Sequence, residues 1–263
     1  MMRSFFLNWQ DPDTQRWLPV AKLVNQRGYF VFGYTRGAQV SKNFLPFGRM
    51  NDVSSLYISD ELFPIFANRV MNEKRPEYAR YARWSGLDRE SDPLRLMARI
   101  GGVRATDALQ VSPVPEKSRD GRYRSVFFVH GISHLAPDSA DRVAALEPGE
   151  VLFPMLDIQN PYDGNAVCLR TRDPAVIIGY CPRFVAPDLR YLCESAETAT
   201  RLKVLQVNQD APSQFKLLCE AVSTWPEHFV PCSTDEHQLI SNLSVEDALK
   251  TVSTAKPFQR AVG

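Results

Sequence analysis

The chain has 263 residues, of which 44% are hydrophobic and 23% charged, with a net charge of +1; this is an ordinary globular composition, long enough for two domains. No stretch approaches the roughly 20 apolar residues that cross a bilayer as a helix, and the opening MMRSFFLNWQDPD lacks the roughly 7–15-residue apolar core of a secretory signal. The protein is therefore expected to stay in the cytoplasm. Cys168, Cys181, Cys193, Cys219 and Cys232 are an odd set without C-x-x-C spacing, which argues against a disulfide framework or zinc knuckle and for reduced thiols.

In chain order, WLPVAKLV and GYFVFGYT are strand-like runs joined by Asn25-Gln26-Arg27-Gly28, a turn signal that predicts a hairpin. Ser59 is placed to cap a helix with acidic Asp60 and Glu61 in its first turn, and Leu62, Phe63, Phe66 and Val70 recur at helical spacing. Pro76 restarts a helix that Gly86 ends; Asp92-Pro93 opens another, with Leu94, Met97 and Ile100 on its apolar face, and Gly101-Gly102 closes it. DALQVSP then reads as a strand. These elements predict an α+β N-terminal domain over residues 1–115. PVPEKSRDGRYR shifts from proline to charge and marks a linker over 116–124.

The next block is mostly strand. SVFFVHGI, EVLFPMLDI, AVCLR, VIIGYC, LKVLQV and KLLCEAV are short β-rich runs separated by turn signals, with one short helix at PDLRYLCE. That spacing predicts a small mostly-β barrel, OB-like or SH3-like, over residues 125–232. Residues 233–263 are a polar tail with a helical stretch at SVEDALKTV and an end expected to fray. Charge is uneven along the chain: residues 1–122 hold 19 Lys+Arg against 13 Asp+Glu, residues 123–232 hold 9 against 13, and the tail 3 against 4.

One turn carries more than turn chemistry requires. In NPYDGNAV, Pro161 fixes φ, Asp163 can accept an N–H two residues on, and Gly164 tolerates positive φ. Nothing in that list calls for the Tyr162 ring. Such a ring either packs over its own hairpin or offers a stacking surface, worth roughly 1–3 kcal/mol per nucleic-acid base.

The ordered set FFVHGI, NPYDGNAV and IIGYCPR followed by a short helix resembles the HIRAN domain from about Ser125 to Cys232. The resemblance implies a small OB-like barrel that grips the 3′-hydroxyl end of single-stranded DNA. It makes Tyr162 the stacking ring and Asp163 the hydroxyl-contacting carboxylate, with Asn160 in the same turn. Tyr180 and Arg183 would lie beside them, the arginine approaching phosphate, and Phe215 would be a second stacking ring. Where DNA-binding members carry an arginine and adjacent tyrosines, this chain has Ser133-His134-Leu135 after Gly131-Ile132, and His134 is counted among the candidate contacts.

LFPIFANRVM and DPLRLMARIGGVRATDALQVSP resemble the N-terminal subdomain of the HipA toxin kinases over about residues 15–115. The kinase core that follows in those toxins is absent: there is no phosphate-binding Gly-rich loop and no paired catalytic Asp and Asn. RPEYARYARW places Arg75, Arg80 and Arg83 among tyrosines, either a solvated face or an auxiliary basic contact. Four histidines without an H-E-x-x-H motif, and Ser133 adjacent to His134 on what reads as a strand, argue against a metal hydrolase or a nucleophile and base pair. A non-catalytic adaptor without metal or cofactor is expected, binding single-stranded DNA or its ends. The alternative is a HipA-like regulator or antitoxin that binds a partner protein, a toxin kinase or transcription factor, through the N-terminal domain.

Overall fold

This computed structural model describes residues 3–88, 90–195 and 198–254. The chain divides into two units, each drawn from separate stretches of sequence: Met1–Met71, Gly101–Val114 and Ser233–Gly263 in the first, Asn72–Ile100 and Pro115–Cys232 in the second. Among the described residues the strands form two antiparallel sheets, one in each unit.

The first sheet is ordered β4-β3-β2-β1-β5. The expected hairpin is β2 (Trp17–Gln26) and β3 (Tyr29–Tyr34), turning through Arg27 and Gly28, both at positive φ, the backbone that suits the twist of a tight hairpin. Sequence reading left β1 (Arg3–Gln10) without an element; its unbroken buried run, Ser4 to Asn8, suits a central strand covered on both faces. β4 (Leu56–Ser59) and β5 (Leu109–Pro113) are the edges. On one side Phe32, Tyr34, Phe44, Phe47, Phe63 and Phe66 pack ring against ring. The buried Tyr34 hydroxyl donates to the Met50 carbonyl at 2.7 Å and accepts the Phe47 N–H at 2.6 Å.

Two local expectations change. The helix proposed from Ser59 is a single turn, α1 (Pro64–Ala67), preceded by Phe63 in an extended conformation, because the proline ring disfavours helical geometry at the residue before it. The tail is not a separate segment. Val245 and Leu249, one turn apart on α6 (Val245–Thr254), pack on Val24 and Val31. Leu239 bridges Thr35, and Arg16 and Arg36 pair with Glu236 and Asp235. The end expected to fray lies outside the described residues.

In the second unit the strands are β6 (Arg122–Phe128), β7 (Val151–Leu156), β8 (Val167–Arg170), β9 (Ile177–Tyr180), β10 (Arg201–Val207) and β11 (Leu217–Thr224). Their order is β6-β11-β10-β7-β8-β9, and a bridge between His130 and Tyr180 curls the end of β6 against β9. The predicted strands are all present. Inward residues such as Phe127, Leu152, Leu169, Ile178, Leu202 and Leu217 form one core, closed by Leu189 and Leu192 of α5 (Ala186–Glu194).

This unit holds more than the single helix expected. Between β6 and β7, α4 (Pro137–Ala144) starts on proline and buries Val143. α2 (Tyr78–Trp84) and α3 (Pro93–Ile100), read from the sequence as parts of an N-terminal domain, cluster with Phe128 and Leu218 through Trp84 and Ile100. The Asn208 side-chain amide ties this contact, donating to the carbonyls of Trp84 (2.9 Å) and Phe215 (2.7 Å). The expected ranges 1–115 and 125–232 are thus redistributed, and the segment read as a linker already enters β6 at Arg122.

Two stability outcomes follow. Trp84→Ala should lower the stability of the second unit by about 3–5 kcal/mol through lost burial, read by denaturant unfolding; a change under about 1 kcal/mol would show that α2 is not integral. The second concerns Asp188, buried in the first turn of α5 with Oδ1 accepting the Cys232 N–H at 3.1 Å. Burial pushes its carboxyl up from 3.8 to about 6. The folded state therefore holds this proton more tightly, and the group's contribution is full below about pH 4 and falls as pH rises to about 6. Asp188→Asn keeps the acceptor and removes the decline. It should gain on the native protein by up to about 3 kcal/mol between pH 4 and 8, and parallel pH profiles would contradict this.

Candidate nucleic-acid interface

β7 and β8 are joined by residues 157–166, whose ends are tied by the Asp157 N–H donating to the Ala166 carbonyl at 2.9 Å. Asn160 Oδ1 accepts the N–H groups of Tyr162 (3.0 Å) and Asp163 (3.1 Å), and Asp163 Oδ1 accepts that of Asn165 (2.9 Å). These are the local side-chain bonds that let Asn and Asp hold a turn. From α5, the Arg190 guanidinium donates to the Gly164 carbonyl. The backbone is thus held at several points while Tyr162 stands out from it, 83% exposed.

Asp157, which sequence reading missed, joins this loop to β9. Its Oδ2 accepts from Asn160 Nδ2 at 3.0 Å and from the Tyr180 hydroxyl at 3.1 Å. Burial first, and then the bond to Asp157, raise the Tyr180 pKa, so this phenol remains a donor committed to the carboxylate. Tyr180 is fixed from its backbone too, exchanging two 2.9 Å bonds with His130. That approach needs Gly179, where φ is +129° and a Cβ would stand 2.5 Å from the His130 carbonyl oxygen. His130 keeps an exposed edge, yet desolvation and then the Arg183 guanidinium lower its pKa. Arg183, itself exposed, is thereby placed near the Tyr180 end of the site.

The structure brings Asn160, Tyr162, Asp163 and Tyr180 together through Asp157, with Arg183 close by. His134 lies in a short 3-10 turn, Ile132–His134, instead of the strand read from sequence, and this turn sits beside the Ser213–Phe215 turn. Both Ser133 and His134 are exposed there. Phe215 is half-buried. It stacks on Trp84 (6.0 Å between centroids, 20° between planes) and meets Tyr81 and Phe128 edge to face.

The basic helix also looks different in place. Arg80 lies 5.3 Å over the Trp84 ring, and Arg83 pairs with Asp210 at 2.6 Å; Arg75 is exposed. All three share a unit with the six-stranded sheet. The charge imbalance along the chain therefore does not follow the units: the first holds 12 Lys+Arg against 10 Asp+Glu and the second 19 against 20. Among the described residues no His, Cys, Asp and Glu cluster is arranged to hold a metal, and no helix is long and apolar enough to cross a membrane.

An acidic residue three positions before Asn160 was visible in the sequence, but nothing local showed that it reaches Tyr180. Arg190 gave no signal beyond its helix.

No curated protein matches this chain. Two solved structures align with it weakly. The crystal structure of the HIRAN domain of human HLTF shares 17% identity at a TM-score of 0.31, covering 42% of this chain and 77% of that one. A protein from Lactobacillus plantarum shares 18% at a TM-score of 0.31, covering 39% and 98%. The family model of the HIRAN domain matches residues 123–222, a range that takes in the NPYD loop and the curled sheet apart from the first residue of β6 and the last two of β11. That match supports a HIRAN domain over residues 123–222 of this chain.

Proposed function

We propose that the protein is a non-catalytic binding module whose HIRAN region captures the hydroxyl-bearing 3′ end of single-stranded DNA. The observation that carries this reading is the Tyr162 ring, 83% exposed on a loop held by Asn160, Asp157 and Arg190. An apolar ring held out on a fixed backbone is poised to stack at little ordering cost. The neighbouring Asp163 spends Oδ1 on the Asn165 N–H; among the described residues none donates to its Oδ2. A carboxylate oxygen so placed accepts from a terminal hydroxyl and repels a terminal phosphate. Arg183 supplies a cation for an internal phosphate, and the committed Tyr180 phenol keeps that side of the loop rigid.

A regulator that docks on a partner protein is the competing reading. Its support is that Arg83 is already paired with Asp210, leaving less free cationic surface on α2 for phosphate.

Labelled single-stranded oligonucleotides with free or phosphate-blocked 3′ ends separate the two. The free end should bind more tightly, and Tyr162→Ala should weaken that binding by about 1–3 kcal/mol through lost stacking. Equal affinity for both ends defeats end recognition, and no binding at low salt favours the protein-docking reading. Arg183→Ala should reduce the slope of log affinity against log salt by about 1, as expected for one phosphate contact; an unchanged slope removes Arg183 from the interface.

A further inference from the structure

Strand register places a second set of groups on one face of the sheet. Phe153 on β7 is paired with Arg170 on β8, and Arg170 with Ile177 on β9; Met155 is paired with Cys168, and Cys168 with Tyr180. Paired residues in antiparallel strands point to the same side. The alternate residues Leu152, Val167, Leu169 and Ile178 fill the core, so the face carrying Phe153 is the outer one. Met155 and Ile177 are exposed there. The Arg170 guanidinium lies 5.0 Å over the Phe153 ring and is steadied by a 3.0 Å bond to the Thr171 carbonyl. Beyond Phe153 the face ends in an open cavity of about 340 Å³ lined by Glu150, Val151, Phe153, Arg172 and Asp173. At its other end lie Tyr180 and, through Asp157, the Tyr162 loop.

We propose that this face is a track for the body of the nucleic-acid strand whose end the Tyr162 loop receives, with bases resting on Phe153 and Met155 and phosphates meeting Arg170 and Arg172. The inference rests on the proposed function. Three features select this occupant. The face is joined to the loop through Tyr180 and Asp157. Its ring is already paired with a planar cation, the combination on which bases stack with little regard to sequence. Its charge suits a polyanion: Glu150 is ion-paired with Arg142, which leaves Arg170 and Arg172 against Asp173. Small open barrels also bind oligonucleotides across the outer face of their central strands. Phe153 and Tyr180 stand two strands and two residues apart, about 12 Å on sheet spacings, so a strand must extend beyond its last two or so nucleotides to use both.

Length dependence tests the track. Fluorescence anisotropy would compare hydroxyl-ended oligonucleotides of about 2 and about 12 nucleotides, the first too short to reach Phe153 from the Tyr162 loop and the second within the range one barrel accommodates. The intact protein should bind the longer one at least about tenfold more tightly. Phe153→Ala should erase most of that advantage, leave the shorter one unchanged, and be rescued by Phe153→Tyr. Arg172→Gln, at an exposed position that does not threaten folding, should lower the salt slope for the longer oligonucleotide by about 1 and leave that for the shorter one unchanged. Equal affinity for both lengths, or a length advantage surviving in both variants, overturns the track and leaves end recognition standing. No binding at either length overturns the proposed function along with it. Self-association that Phe153→Ala abolishes, without change in length dependence, would assign the face to a second copy of the chain and overturn the proposal.

Discussion

The candidate site depends on how closely β9 approaches the end of β6. Only a glycine at position 179 permits it, since a Cβ there would meet both the His130 carbonyl and the Val129 side chain at 2.5 Å. Close approach allows the paired backbone bonds between His130 and Tyr180. These fix Tyr180, whose hydroxyl reaches Asp157, whose carboxylate in turn holds Asn160. Each bond contributes about 1 kcal/mol, small beside the unit's whole core. In series they nonetheless decide whether Tyr162 is presented from a fixed or a wandering loop. Rigidity matters because a ring that must first be ordered loses part of what stacking contributes.

The same logic explains what could be read in the chain. Strands that read as short β-rich runs between turn signals, such as β10 and β11, and helices bounded by local signals, such as Asp92-Pro93 before α3 and Gly101-Gly102 after it, were legible because their causes lie within a few residues. The units were not, because their causes are distant. Nothing in SVEDALKTV says that Leu249 needs Val24 and Val31, and nothing in YARYARW says that Trp84 will cover Phe128 and Leu218. The site divides likewise. The turn chemistry of Asn160 and Asp163 was readable, whereas the link from Asp157 to Tyr180 spans 23 residues and was not. Phe215 was legible as an aromatic, but its stacking on Trp84 of α2 was not, because the two lie far apart in sequence.

Charge repeats the lesson. Summed along the chain, a basic half precedes an acidic half, which invites a picture of one domain attracting DNA for the other. Grouped by contacts, the unit holding the site has 19 basic and 20 acidic residues, and Arg83 on α2 is paired with Asp210. At about 0.1 M salt, exposed charges act over about 10 Å. On the proposed function, attraction of phosphate would then come from individual groups beside the loop and along the outer face, and affinity would lean on ring stacking.

Photocrosslinking tests this most directly. A single-stranded oligonucleotide carrying a photoreactive base at its hydroxyl-bearing 3′ terminus, irradiated on the intact protein and mapped by mass spectrometry, reports which side chain the terminal base touches. The account predicts attachment at Tyr162 or within residues 160–165, lost when the terminus is phosphorylated. Attachment instead on α2 or on the first unit, undiminished by phosphorylation, would contradict it and leave Tyr162 without a role in binding.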